Sequence, residues 1–207
     1  MLDSRTVSVL MVITACLAAL ALVLVGRRTL PVPGVRLWIL ASLPCVLGMV
    51  LSGGRDGLPP LVGIVLSNIL MVAAVAIQLA GYRRFVGRSA ALLPALIGSV
   101  GLGPGLVWFA VISPSVAARV VIMSVALGLL CLLIALTLLR PGPVAQLPRL
   151  CCGLFHLGLV LFYFGRAWVA WGTTIPDYLT SGAIALSAHL AGFIQIMVSA
   201  FFQMVLI

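Results

Sequence analysis

The sequence predicts an all-α membrane protein, a bundle of seven transmembrane helices with its N terminus outside and its C terminus cytoplasmic. Three observations predict it. Of 207 residues, 64% are hydrophobic and 7% charged, where a soluble domain carries about a quarter charged residues. The apolar residues fall in runs of about 20, the length a helix needs to cross roughly 30 Å of hydrocarbon. The basic residues, finally, collect in alternate loops.

Interrupting the apolar runs at Pro, Gly and Arg clusters gives the spans in order. The first covers about 7 to 25 and stops at Arg27 and Arg28. The second, about 35 to 52, is short and carries Pro44. The third, about 61 to 81, follows Pro59-Pro60, and the fourth covers about 90 to 112. The fifth, about 116 to 139, opens after Pro114-Ser115 and ends at Arg140. The sixth and seventh cover about 150 to 171 and 181 to 207.

Direction follows from arginine. All twelve basic residues are Arg, and the net charge is +9. Arg27, Arg28, Arg36, Arg83, Arg84, Arg88, Arg140 and Arg149 flank the first, third and fifth loops, while the others hold Arg55 alone. Short cytoplasmic loops collect positive charge, so the first, third and fifth loops lie inside. Trp108, Trp168, Trp171 and Tyr178 then fall near the outer boundary, and Trp38 and Tyr82 near the inner one, as interfacial anchors. The first span is not a cleaved signal, because Asp3 balances Arg5 and the Arg27-Arg28 pair follows the apolar run. A multi-pass protein of the bacterial inner membrane is expected.

The fourth span reads Leu93-Pro94, then Gly98, Gly101, Gly103, Pro104 and Gly105. Missing donors and missing side chains in mid-membrane predict a kink, with Gly101 to Gly105 as a close-approach face on a neighbour. The alternative is a broken helix lining a cavity, as in transporters. The five cysteines show no CxxC spacing and read as packing or lipid-facing residues. Cys151 and Cys152, beside an arginine-bearing loop, also offer an acylation site.

Ionisable and polar groups inside a membrane are expensive, and each is a candidate for function. By helix rise, Arg119 and Arg166 sit roughly 5 to 8 Å below the outer surface, and Asn68 and His189 roughly 12 Å. Asn68, Arg119, Arg166 and His189 are therefore the candidate sensing residues. They would form an outward-facing pocket roofed by Arg55, Asp56 and Asp177, taking a small neutral or anionic ligand. The competing account is snorkelling by the arginines, with interhelical hydrogen bonds and an Arg166–Asp177 pair. His156 and His189 together invite a haem b reading, opposed by a vertical offset of roughly 9 Å between them. Gln78, Gln195 and Gln203 read as interhelical hydrogen bonders.

Absences narrow the function. With no Lys, a retinal Schiff base is impossible. There is no HExxH, no GxSxG with partners, no carboxylate pair and no phosphate loop, so no catalytic residue and no metal site is expected. All three Asp lie at or outside the span boundaries, which disfavours ion-coupled transport. No basic run suggests nucleic acid. Outer loops of about nine residues leave the bilayer and its outer rim as the place where a stimulus is read. The seventh span reaches Phe201-Phe202-Gln203 and Ile207 with no stop signal, which leads us to expect a cytoplasmic domain joined by a continuous helix.

Two stretches carry a resemblance. The first is Gly57-Leu58-Pro59, Ile64-Val65-Leu66-Ser67-Asn68, and then Gly81-Tyr82-Arg83-Arg84-Phe85. The second is Pro114-Ser115-Val116-Ala117-Ala118-Arg119-Val120-Val121, closed by Arg140. Together, over about the middle half of the chain, they resemble the N-terminal multi-helix membrane region ahead of the GGDEF domain of bacterial diguanylate cyclases. The resemblance implies a homodimeric sensor whose cytoplasmic domains make cyclic di-GMP from GTP with Mg. No cofactor is implied for these residues. The GGDEF signature is absent from them, so no catalytic residue is carried over. Two other expectations stand beside this one: a self-contained small-molecule permease or channel, and a haem-binding membrane subunit using His156 and His189.

Overall fold

Backbone in hydrocarbon must satisfy its own polar groups, so apolar runs of this length fold as helices. The structure is a computed structural model and describes residues 4–28, 32–141, 146–172 and 183–206. Every regular element among them is helical. The long helices are α1 (Ser4–Arg28), α2 (Val35–Gly53), α3 (Ser67–Phe85), α6 (Val116–Leu139), α7 (Gln146–Trp171) and α8 (Ala183–Leu206), with the shorter α4 (Leu92–Gly101) and α5 (Gly103–Val107) between α3 and α6. Six segments among the described residues are long and apolar enough to cross a membrane: Val9–Arg27, Val35–Gly53, Leu61–Phe85, Leu92–Ile112, Val116–Leu139 and Gln146–Trp171.

Helix ends fall where the sequence places them, with extensions of up to four residues. Arg27, Arg28, Arg83, Arg84 and Arg149 lie within helical turns instead of loops. Arginine is a good helix former, and a cation is favoured at a helix C-terminus, so arginine closes α1 and α3 without breaking them. Pro44 is accommodated inside an uninterrupted α2. Gly34 precedes α2 at φ +95, where a Cβ would also run into the Gly81 carbonyl of α3. α3 is preceded by a short 3-10 turn, Arg55–Gly57, and a wide π-helical turn, Leu61–Leu66. Ser67 closes the wide turn by donating its hydroxyl to the carbonyls of Gly63 (2.7 Å) and Ile64 (3.0 Å). Ser115 caps α6, its hydroxyl accepting from the Ala118 N–H at 3.2 Å.

The fourth predicted span is interrupted. α4 ends at Gly101, α5 begins at Gly103, and a second π-helical turn, Trp108–Ile112, completes the segment. Pro104 has no N–H to give to Val100, which removes one rung of the ladder at the break. The close-approach face differs from the expected one. A Cβ on Gly103 or Gly105 would touch Ile69 of α3 (3.5 Å) or Ile122 of α6 (3.4 Å), whereas Gly98 and Gly101 have nothing within 4 Å. Past the break, Gly103 and Gly105 each face a different neighbouring helix, and Gly101 faces neither.

Packing closes a ring. α1 packs on α2, α2 on α3, α3 on α6, α6 on α7, α7 on α8, and α8 back on α1. α4 stands outside it against α3, and α5 against the wide turn Leu61–Leu66, with a smaller contact to α6. At the end where α2 begins and α3 closes, Trp38, Tyr82, Leu138 and Cys152 form the main apolar cluster. Trp38 and Tyr82, expected as interfacial anchors, are buried between helices at 1% and 0% exposure instead of lying on the outside of the bundle. At the opposite end Trp168 and Trp171 are over 80% exposed, as anchors should be. Tyr178 lies outside the described residues.

Candidate functional site: a polar cavity inside the helix ring

Each ring helix offers one stripe at helical spacing to the interior. On the wide turn and α3 the stripe is Ile64, Ser67, Asn68, Met71, Val75 and Gln78; on α6 it is Val116, Arg119, Val120, Met123 and Leu127. Met11 of α1, Cys45, Met49 and Ser52 of α2, Tyr163 and Arg166 of α7, and Gly192, Gln195 and Ile196 of α8 complete the wall. They enclose a cavity of about 200 Å³ to which all six ring helices contribute. α4 and α5 contribute no described lining residue, so the interrupted segment is not the wall of this cavity.

Backbone shape brings Arg55 to the rim. A Cβ on Gly63 would lie 2.9 Å from both Cα and Cβ of Arg55, so the absent side chain is what lets the Arg55–Gly57 turn rest on the wide turn. α2 and α3 approach closely in the same way: a Cβ on Gly48 would lie 2.9 Å from the Ser67 carbonyl oxygen. Arg119 bonds its Nε to the Ser115 carbonyl at 3.2 Å, which holds it along the first turn of α6. Arg166 donates from Nη1 to the Ser124 hydroxyl at 3.2 Å across the α6–α7 contact. Below them, the Tyr163 hydroxyl donates to Oε1 of Gln195, and the Gln195 amide reaches the Cys131 sulfur at 4.0 Å. Gln78 places a buried Oε1 at the wall with no hydrogen-bond partner among the described residues.

Three of the four residues expected to act together do line one cavity: Asn68, Arg119 and Arg166. His189 lies on α8 one turn before Gly192, and its side chain is outside the described residues, as is Asp177. Asp56 sits exposed in the turn beside Arg55. His156 is elsewhere. It is fully buried, its Nδ1 lies 2.8 Å from the Cys152 carbonyl and 3.7 Å from the Cys152 sulfur, and its ring packs edge-on against Tyr82 and Phe155. Arg55, expected at the roof of the pocket, does line it, while Tyr163, Gln78 and Gln195 are lining residues that the depth argument does not select.

The described lining holds three arginines and no carboxylate. A neutral or anionic guest is compatible with such a set. The described lining also holds hydroxyls and one thiol, with no His, Asp or Glu beside them. No group of three His, Cys, Asp or Glu that could hold a metal occurs among the described residues. Comparison with protein-family models gives no match, and comparisons with curated proteins and with solved structures give none either.

Proposed function

We propose that this chain is the seven-span sensory module of a bacterial inner-membrane signalling protein, N terminus outside, controlling a cytoplasmic GGDEF domain that makes cyclic di-GMP. The observation that carries the reading is the cavity. Its wall includes Ser67 and Asn68 from one stretch of the resemblance and Val116, Arg119 and Val120 from the other, and it includes α8, the helix that would lead to the output domain. A guest touching α3, α6, α7 and α8 at once binds one packing of those helices better than another. Differential affinity is all a sensor needs to shift a two-state equilibrium. The Tyr163–Gln195 bond ties α8 to α7 at the floor, so a change in the cavity reaches α8 directly. In a homodimer, a small shift of α8 in each protomer realigns the two domains that hold GTP and Mg.

The test is cyclic di-GMP in cells expressing the native-length gene, with Arg119→Gln and Asn68→Ala compared at matched membrane levels. Altered output at unchanged insertion is expected. Output equal to wild type in both variants, or a native gene product no larger than 21.7 kDa, would defeat the reading.

A further inference from the structure

We propose that ordered water is bound at the Trp38–Tyr82 end of the helix ring, accepting from Tyr82 and Gln203 and donating to His156, and that it joins α8 to α3 and α7 there. The inference stands apart from the sensor reading and concerns a second polar site beyond the cavity floor. α8 carries Gln195, Ser199 and Gln203 at intervals of four, hence on one face with roughly 6 Å of rise between neighbours. All three are buried. Gln195 bonds to Tyr163 and reaches the Cys131 sulfur. Further along the stripe, Ser199 Oγ and Gln203 Nε2 are buried with no hydrogen-bond partner among the described residues.

α7 supplies the missing acceptor. His156 Nδ1 lies 2.8 Å from the Cys152 carbonyl, and a carbonyl only accepts, so Nδ1 carries the proton of the neutral ring and Nε2 offers a lone pair. That Nε2 is also buried with no partner among the described residues. Tyr82 of α3 belongs to the same group. Its ring stands edge-on to His156 with centroids 5.8 Å apart, and its oxygen accepts from the Cys152 thiol at 3.7 Å. The Gln203 amide comes up to that oxygen, yet its Nε2 closes no hydrogen bond. Trp38 Nε1 is unpartnered as well, but it is pressed against Gly81, where a Cβ would come within 2.5 Å of it, and takes no part. Two donors and one acceptor, from three helices, are left over in one cluster. Buried polar groups are paired as a rule, with ordered water where protein does not reach. A carboxylate would use only the donors and an ammonium only the acceptor. Water uses both, in the smallest volume.

The experiment is radiolytic hydroxyl-radical footprinting of the purified native-length protein in lipid nanodiscs, in which a bound water yields radicals that label the side chains touching it. Relative to intrinsic side-chain reactivity, Tyr82 and His156 are expected to label about tenfold faster than Ile134 and Leu138, which are equally buried. Gln203→Leu keeps the bulk and deletes the donor, and should slow His156 labelling about fivefold by removing one of the water's partners. If that variant does not insert, His156→Phe must slow Tyr82 labelling by as much. Tyr82 and His156 labelling no faster than Ile134 and Leu138, whether all four are slow or all four are fast, overturns the proposal. So does a His156 rate unchanged in Gln203→Leu, or a Tyr82 rate unchanged in His156→Phe. None of these outcomes bears on cyclic di-GMP output, so the sensor reading stands or falls by its own test.

Discussion

Tyr163 and Gln195 are joined side chain to side chain at the floor of the cavity, the phenol donating to the amide oxygen across the α7–α8 contact. Both are buried, at 5% and 7% exposure, so neither has water to fall back on. Among the described residues, the amide's other end meets the weak acceptor Cys131 Sγ. This bond ties the α7 wall of the cavity to α8.

Tyr163→Phe keeps the ring and deletes that bond. Leaving the Gln195 oxygen buried without its donor should cost about 1 to 3 kcal/mol, read as a lower unfolding midpoint in nanodiscs. The double variant Tyr163→Phe/Gln195→Leu should be less destabilised than the sum of the single changes, because it buries no orphaned amide. If the costs simply add, the bond does not hold α8 to α7.

Gly63→Ala tests how Arg55 reaches the cavity. The new methyl would sit 2.9 Å from Arg55 Cα and Cβ, backbone that cannot rotate aside, so the Arg55–Gly57 turn must move. Altered cyclic di-GMP output with a modest loss of stability is expected. Gly98→Ala is the control. It has nothing within 4 Å and should stabilise by about 0.5 to 1 kcal/mol through helix propensity, with output unchanged. Equal output in Gly63→Ala and wild type would show that the sensory site does not use this contact.

Much of this was legible in the sequence, and what was not has one cause. Position along a helix can be counted from its end, which brings Arg119 and Arg166 to one level and Asn68 a few ångströms deeper. Azimuth depends on which helices are neighbours, and a uniformly apolar span does not declare its inner face. Trp38 and Tyr82 thus read in the sequence as outward-facing anchors, whereas both are buried between helices. Gln195 reads as an interhelical hydrogen bonder and is one, but nothing in the sequence names Tyr163 of α7 as its partner. Gln78 did have a signal, since it continues the Ser67, Met71, Val75 stripe by three residues. The wide turn at Leu61–Leu66 had a partial one in Pro59-Pro60, which announces an irregular start without saying how the ladder is resumed.

His156 lies apart from the cavity, and its environment predicts a structural role. The ring is fully buried, packed edge-on to Tyr82 and Phe155 and held at Nδ1 by the Cys152 carbonyl. His156→Ala should cost about 2 to 4 kcal/mol as a cavity opens in the Trp38–Tyr82 cluster, while His156→Phe should recover part of it. The purified protein should be colourless. A Soret band that disappears in His156→Phe would establish the haem reading in place of this one.

The direction of the chain is the last prediction, and it rests on arginine alone. The turn at Gly57 and the segment at Ser89 lie at opposite ends of α3 and are both exposed. Gly57 has nothing within 4 Å of an added Cβ, so a side chain there is tolerated sterically. Ser89 contributes its carbonyl, not its side chain, to the bond from Arg83 Nε, at 2.9 Å. Gly57→Cys and Ser89→Cys, each in a background with the five native cysteines replaced, should therefore report topology without disturbing the fold. In intact cells whose outer membrane has been permeabilised, a membrane-impermeant maleimide should label Gly57→Cys, and Ser89→Cys only after lysis. The reverse pattern would put the cluster of Arg83, Arg84 and Arg88 outside and the cavity rim at Arg55 in the cytoplasm. It would overturn the positive-inside assignment, and with it the idea that the stimulus arrives from outside.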